Sequence, residues 1–344
     1  MRSLLVTWIA GAITGTLLIA ITSPIFVRSY QPLQADSIRG VWTLAPSPSY
    51  RWRSEGYANT TIGPHGMPGR ASLESSSKAS DRIALWGDSQ AEGVCVHDPD
   101  KLFAKCEQAS SGSMAFLPFA RSGEDAADWV TQIPSVEEAF QIDAHVVLLT
   151  ELSDLAAAIQ APVDPPSEAD TAAARSAIAA HVPAFIIQGA RHLLYEADNT
   201  TRRQWRFGLG RVESSRIPSR HPPDNPSESS PSLDRKPWRE ALNVLRQSSE
   251  LPVILLYAPQ LPQVVDGNLI REDPTADEFE IVQSFATELG IHVIDAREAL
   301  IASADHGQWP HGFHNGQFGV GHLNARGNDI LARLTVDVIQ SIIE

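Results

Sequence analysis

Ser89 closes the tripeptide Gly87-Asp88-Ser89, directly after the apolar run Arg82-Ile-Ala-Leu-Trp86. A serine hydroxyl becomes a nucleophile only with a base beside it, and a histidine carried by a different loop is the usual supplier. Among eleven histidines the best candidate is His322, which sits in a glycine-flanked loop just before an apolar C-terminal helix pattern. The tripeptide alone is common, and a serine after a strand also serves as a helix cap. Its place at the end of a buried strand gives it weight, since open α/β sheets carry their reactive groups there. A second grouping, Asp305, His306, His311 and His314, has no zinc-ligand spacing, so no metal and no cofactor are expected. Cys95 and Cys106 are the only cysteines; they resemble neither a disulfide scaffold nor a zinc pair, and they can be bonded to each other or both free.

The elements that must hold these residues follow a strand, turn, helix rhythm. Arg82–Trp86, Met114–Phe119, Ala144–Thr150, Leu251–Tyr257 and Ile291–Ile294 are short apolar runs of the kind buried in parallel sheets. Between them lie helix patterns. Asp98-Pro99 reads as a cap and first-turn proline, residues 126–140 and 277–289 as helices, and Ile330, Leu331, Leu334 and Val338 as the stripe of a last helix capped by Asn324. The fold expected is α/β: a three-layer α/β/α sandwich around a doubly wound, flavodoxin-like parallel sheet. The reactive groups then lie at the carboxyl ends of the strands.

Around this core the chain divides into a transmembrane anchor at 1–28, a tether and irregular, glycine-rich lead-in at 29–80, and a catalytic domain at 81–344. Ser3 to Val27 carries no charged side chain and is long enough to cross a bilayer about 30 Å thick as a helix, with the domain on the periplasmic or extracellular side. An alanine-rich helix is expected at 172–180. A Pro/Ser-rich insert at about residues 196–237 is locally basic, with eight Arg or Lys against four Asp or Glu between Arg202 and Lys236. It reads as a solvated loop or as a flap that attracts an anionic polymer. The net charge of −14 argues against nucleic acid as a partner.

In this order the blocks resemble the SGNH or GDSL hydrolases over roughly residues 82–342. Leu85-Trp-Gly-Asp-Ser-Gln-Ala-Glu-Gly93 is similar to the family's nucleophile block and implies Ser89 as nucleophile. Ala120-Arg-Ser-Gly123 is similar to the second block, implying that the backbone N–H groups of Ser89 and Gly123 form an oxyanion hole. In Glu151-Leu-Ser-Asp154, Ser153 replaces the asparagine of the family's Gly-x-Asn-Asp and is a weaker candidate donor. Phe318-Gly-Val-Gly-His-Leu-Asn-Ala-Arg-Gly327 implies His322 as base, but Gly319 stands where the family has aspartate. A backbone carbonyl, Asp295 or Asp305 is left to orient the ring. The stretch from Pro259 to Gln317 also resembles envelope-anchored members that modify polysaccharide acyl groups. The resemblance implies a serine esterase or O-acyltransferase acting on an acylated small molecule or polysaccharide, or a catalytically degenerate fold that binds glycans or serves in assembly.

Overall fold

The computed structural model describes residues 2–29, 33–53, 55–73, 79–156, 236–265 and 268–343. The expected helix at 172–180, and all but the end of the basic insert at about 196–237, lie outside the described residues. Helix α1 (Arg2–Phe26) opens the chain, and its Leu4–Phe26 span has a mean hydropathy of 2.2 with exposed apolar side chains such as Leu5 and Ile21. Two antiparallel hairpins follow, β1 (Leu33–Asp36) with β2 (Val41–Leu44) and β3 (Ser47–Arg51) with β4 (Asn59–Ile62).

The central layer is built from β5 (Asp81–Trp86), β6 (Met114–Pro118), β7 (Ala144–Leu149), β8 (Val253–Tyr257) and β11 (His292–Asp295). A small hairpin, β9 (Gln263–Val265) with β10 (Asn268–Ile270), stands apart from it. The sheet order is β11-β8-β7-β5-β6 with every pair parallel, the flavodoxin-like order. Strand β5 shows why these runs are apolar throughout. Ile83 and Leu85 face one core cluster and Ala84 and Trp86 the other, so both faces are dry. Each large side chain so buried stabilises the fold by about 1.5–3 kcal/mol.

Short helix α2 (Ser89–Glu92) follows β5, then α3 (Leu102–Ala109), α4 (Ala126–Phe140), α5 (Ser153–Ala156), α6 (Lys236–Gln247), α7 (Ala276–Glu288), α8 (Arg297–Asp305) and α9 (Ala325–Ile343). Helices α3, α8 and α9 bury Cys106, Leu300 and Ile339 on one face of the sheet; α4, α6 and α7 bury Trp129, Leu242 and Val282 on the other. Asp125 and Asp128 form a capping box on α4. Asn324 caps α9 as expected, its Oδ1 accepting from Arg326 N at 2.9 Å. Asp98-Pro99 departs from expectation. They form a single 3-10 turn, α3 begins only at Leu102, and the Asp98 carboxylate instead accepts the Thr61 N–H at 3.1 Å.

Residues 29–80 were expected to be a tether and an irregular lead-in, but their hairpins are bolted into the domain. Arg39 is buried, donating to Phe119 O (2.6 Å), His65 O (3.0 Å) and Gln132 Oε1 (2.8 Å), with Glu124 3.8 Å away. At the other hairpin, Ser29 pairs with Arg51 through N–H to O at 3.0 Å and Arg51 N–H to Ser29 Oγ at 2.8 Å, and Arg53 reaches Pro24 O at 3.2 Å. The end of α1 is therefore stitched to β3. Replacing Arg39 with Met leaves buried carbonyls unpaired and a buried carboxylate short of a partner, so a loss of about 3–5 kcal/mol in urea unfolding is expected. A loss below about 1 kcal/mol would mark the hairpins as peripheral.

Candidate active site

Ser89 starts α2 at the carboxyl end of β5, beside the point where strand order reverses. The turn before it needs glycine: Gly87 has φ 144°, and a Cβ there would stand 2.7 Å from Ala91 Cβ and 3.0 Å from Leu148 O. Asp88 caps α2 by accepting Gln90 N–H at 2.8 Å. The other end of α2 is closed by fully buried Lys101, whose Nζ donates to Glu92 O at 2.9 Å and Gly93 O at 2.5 Å. Burial pushes this ammonium down to about 8. Glu92 then accepts from Ser122 N–H (2.7 Å) and Ser122 Oγ–H (2.5 Å), which joins α2 to the loop carrying Gly123.

His322 arrives from the loop before α9. Its Nε2 is 3.1 Å from Ser89 Oγ. Its Nδ1 is 2.9 Å from Glu55 Oε2, and its backbone N–H donates to Glu55 Oε1 at 2.8 Å. A carboxylate on Nδ1 holds the proton there and leaves Nε2 free to accept from the serine. Burial alone would raise the Glu55 carboxyl, but the two hydrogen bonds from His322 and the nearby imidazole charge outweigh it and hold it below the ordinary range. The loop itself is pinned by Leu323 N–H to Gln90 Oε1 at 2.8 Å and by Asn324 Nδ2 to Trp309 O at 2.8 Å.

The orienting carboxylate is none of the groups considered from sequence. Asp295 is engaged by Arg297 at 2.8 Å and Asp305 by Arg271 at 2.6 Å; among the described residues no backbone carbonyl takes the Nδ1 position. The local packing explains the exchange. At Gly319 (φ 78°) a Cβ would lie 2.9 Å from the Trp309 ring, so no acid fits there. At Gly321 (φ 92°) a Cβ would lie 2.2 Å from Glu55 Oε1, so the carboxylate fills space that any other residue would occupy. Glu55 and Lys101 carry no motif signal: each acts from outside the block that it serves, and spacing along the chain does not reveal it.

The oxyanion candidates divide. The N–H groups of Ser89 and Gly123 have no acceptor among the described residues, and the space at Gly123 (φ 84°) is open. Ser153 starts α5 beyond β7 with its hydroxyl turned onto Glu151 at 3.3 Å, and no hydrogen bond joins it to Ser89 or Gly123 among the described residues. The four residues Asp305, His306, His311 and His314 do not converge: His311 is buried while His306 bonds back to Ala302 O at 2.7 Å. Cys95 and Cys106 are both buried and free.

Beside the site, burial first and the charges of Asp88, Glu151 and Asp125 second push the Asp154 carboxyl up to about 7. The folded state then binds this proton more tightly than the unfolded chain. Its contribution is therefore greatest at low pH and is lost as pH rises from 3.8 through about 7. Asp154→Asn is expected to remove that fall, which urea midpoints across this range would report; parallel curves for both proteins would contradict it.

No family model and no curated protein matches the chain. Solved structures similar to it include a lipase/acylhydrolase from Enterococcus faecalis, at 15% identity and TM-score 0.39, over 76% of this chain and 96% of that one. A putative lipolytic protein of the G-D-S-L family from Desulfitobacterium hafniense is similar at 11% identity and TM-score 0.38, over 75% and 99%. A carbohydrate acetylesterase family member from Sinorhizobium meliloti is similar at 14% identity and TM-score 0.37, over 76% and 99%. The functional reading rests on the geometry of the site.

Proposed function

We propose that this protein is a serine esterase or O-acyltransferase working through an acyl-Ser89 intermediate. The observation that carries the reading is the unbroken relay of Ser89 Oγ, His322 and Glu55 at 3.1 and 2.9 Å. Ser89 Oγ attacks the acyl carbonyl as its proton passes to His322 Nε2, and Glu55 stabilises the imidazolium that forms. The N–H groups of Ser89 and Gly123 receive the developing oxyanion; Ser153 is not needed for this step. Collapse breaks the ester C–O bond, and Nε2 returns the proton to the departing alcohol. Water or a sugar hydroxyl then gives its proton to Nε2 and attacks the acyl-enzyme, which releases Ser89.

The substrate class we propose is an O-acylated envelope or extracellular glycan, met by a domain held at the outer face of a membrane by α1. The apolar, unburied span Leu4–Phe26 supports the anchor. A fluorophosphonate probe should label the folded protein at Ser89, located by peptide mass spectrometry. Incubation with an acetylated glycan, and separately with a deacetylated glycan plus an acyl donor, then distinguishes hydrolysis from transfer by the mass lost or gained. A folded protein that never labels at Ser89 would favour a glycan-binding role instead.

A further inference from the structure

Cys95 has no part in the relay, yet its buried thiol lies 3.8 Å from Glu55 Oε2, on the side of the carboxylate that also meets His322 Nδ1. Glu55, Cys95 and His322 each offer one ligand atom, all within 4.8 Å of one another. We infer that these three residues form an inhibitory site for zinc or a similarly thiophilic divalent cation, bound through Glu55 carboxylate, Cys95 Sγ and His322 Nδ1. Binding stands on the three side chains alone, whereas inhibition rests on the esterase reading above.

The geometry suits a tetrahedral ion. Metal–ligand lengths of about 2.0–2.2 Å to N and O and about 2.3 Å to S place ligand atoms roughly 3.3–3.7 Å apart. The observed 2.9 Å for Nδ1 to Oε2 and 3.8 Å for Sγ to Oε2 reach those separations with shifts of a few tenths of an ångström. One thiolate with one imidazole selects a borderline-soft ion over magnesium or calcium. Two anionic ligands cancel its charge in a partly buried place. Without a cation, burial keeps the thiol neutral, and a coordinated ion reverses that balance. A cavity of about 380 Å³ lined by Gly56, Cys95, His97 and Phe313 reaches the cysteine of the set.

Inhibition follows from the tautomer. The cation takes the Nδ1 lone pair as the ring proton moves through solvent from Nδ1 to Nε2, and only the proton of Cys95 Sγ–H is released. The neutral ring then carries its proton on Nε2. That nitrogen presents an N–H to Ser89 Oγ, 3.1 Å away, and has no lone pair with which to accept the serine proton. Glu55 is drawn into coordination at the same time and ceases to orient the base.

The test uses the full chain in detergent. Zinc chloride is titrated into p-nitrophenyl acetate hydrolysis by the wild type and by Cys95→Ser, each scaled to its own zinc-free rate. Reversible inhibition of the wild type is expected, relieved by chelator, not reproduced by magnesium, and weakened at least about tenfold in Cys95→Ser, since even outer-sphere losses cost about that much in metal affinity. In parallel, cobalt(II) added to Ser89→Ala should give a thiolate-to-cobalt charge-transfer band that the Ser89→Ala/Cys95→Ser double variant lacks. Equal inhibition of both enzymes, or no such band, would overturn the site. The cobalt experiment needs no turnover, so a protein that binds cobalt through Cys95 but hydrolyses nothing would refute the esterase and leave the metal site standing.

Discussion

Ser89→Ala is expected to lower kcat for p-nitrophenyl acetate by about 10⁴-fold or more, with His322→Ala as deep and the double variant no deeper. The reason is that the two act as one unit. With Oγ gone there is no atom to acylate; with the imidazole gone the hydroxyl, whose other acceptor is Asp88 Oδ2 at 3.4 Å, has no base that can cycle its proton. Burial pushes the Asp88 carboxyl above its ordinary range, and its Oδ1 is already spent on capping α2. KM should change little, because neither group is asked to bind the ground state. Retention of the wild-type rate by Ser89→Ala would refute the assignment, and additive losses in the double variant would show that the two residues work apart.

The second large effect is expected at Glu55. Glu55→Gln preserves the shape but offers an amide N–H, or a weaker carbonyl, to Nδ1, so the ring can settle with its proton on Nε2. A fall in kcat of about 10²–10⁴-fold is expected, while Asp295→Ala and Asp305→Ala stay near the wild-type rate. Gly321→Ala should approach the Glu55→Gln value without replacing any polar side chain, because its methyl would claim the place of Glu55 Oε1 at 2.2 Å. Circular dichroism and urea midpoints keep folding and catalysis separate in this set. A loss at Asp295 or Asp305 that matches Glu55→Gln would return the orienting role to the carboxyl side of the sheet.

What the sequence disclosed and what it hid have a common cause. Buried parallel strands must be apolar on both faces, so β5 to β8 and β11 announce themselves, and with them the place of Ser89. Asn324 marked the start of α9, and His322 with it, because a cap is read from neighbours in the chain. Glu55 was hidden because it meets His322 across 267 positions, within a glycine-rich stretch that looks structureless by composition. Arg39 was hidden for the same reason: its partners Phe119 and Gln132 lie 80 and 93 positions away. Asp98-Pro99 shows the converse, a sound local signal overruled by a distant backbone N–H at Thr61.

The stitch between Ser29 and Arg51 sets how far this domain can reach. From Arg51 the chain needs only four residues to arrive at Glu55, at most about 14 Å of extended backbone, and Arg53 on the way is fastened to Pro24 O at 3.2 Å. With α1 in a bilayer, the domain is no ball on a string sweeping a wide volume but a fixture mounted on the headgroup layer. Its encounters then become a two-dimensional search, in which a polymer drifting free in solution is seldom met and one that is extruded or retained at that surface is met repeatedly. The same mounting makes the anchor part of the instrument: a soluble fragment cut at residue 28 would lose Pro24 from Arg53 and give β3 a frayed end, a few residues from the acid that steadies His322.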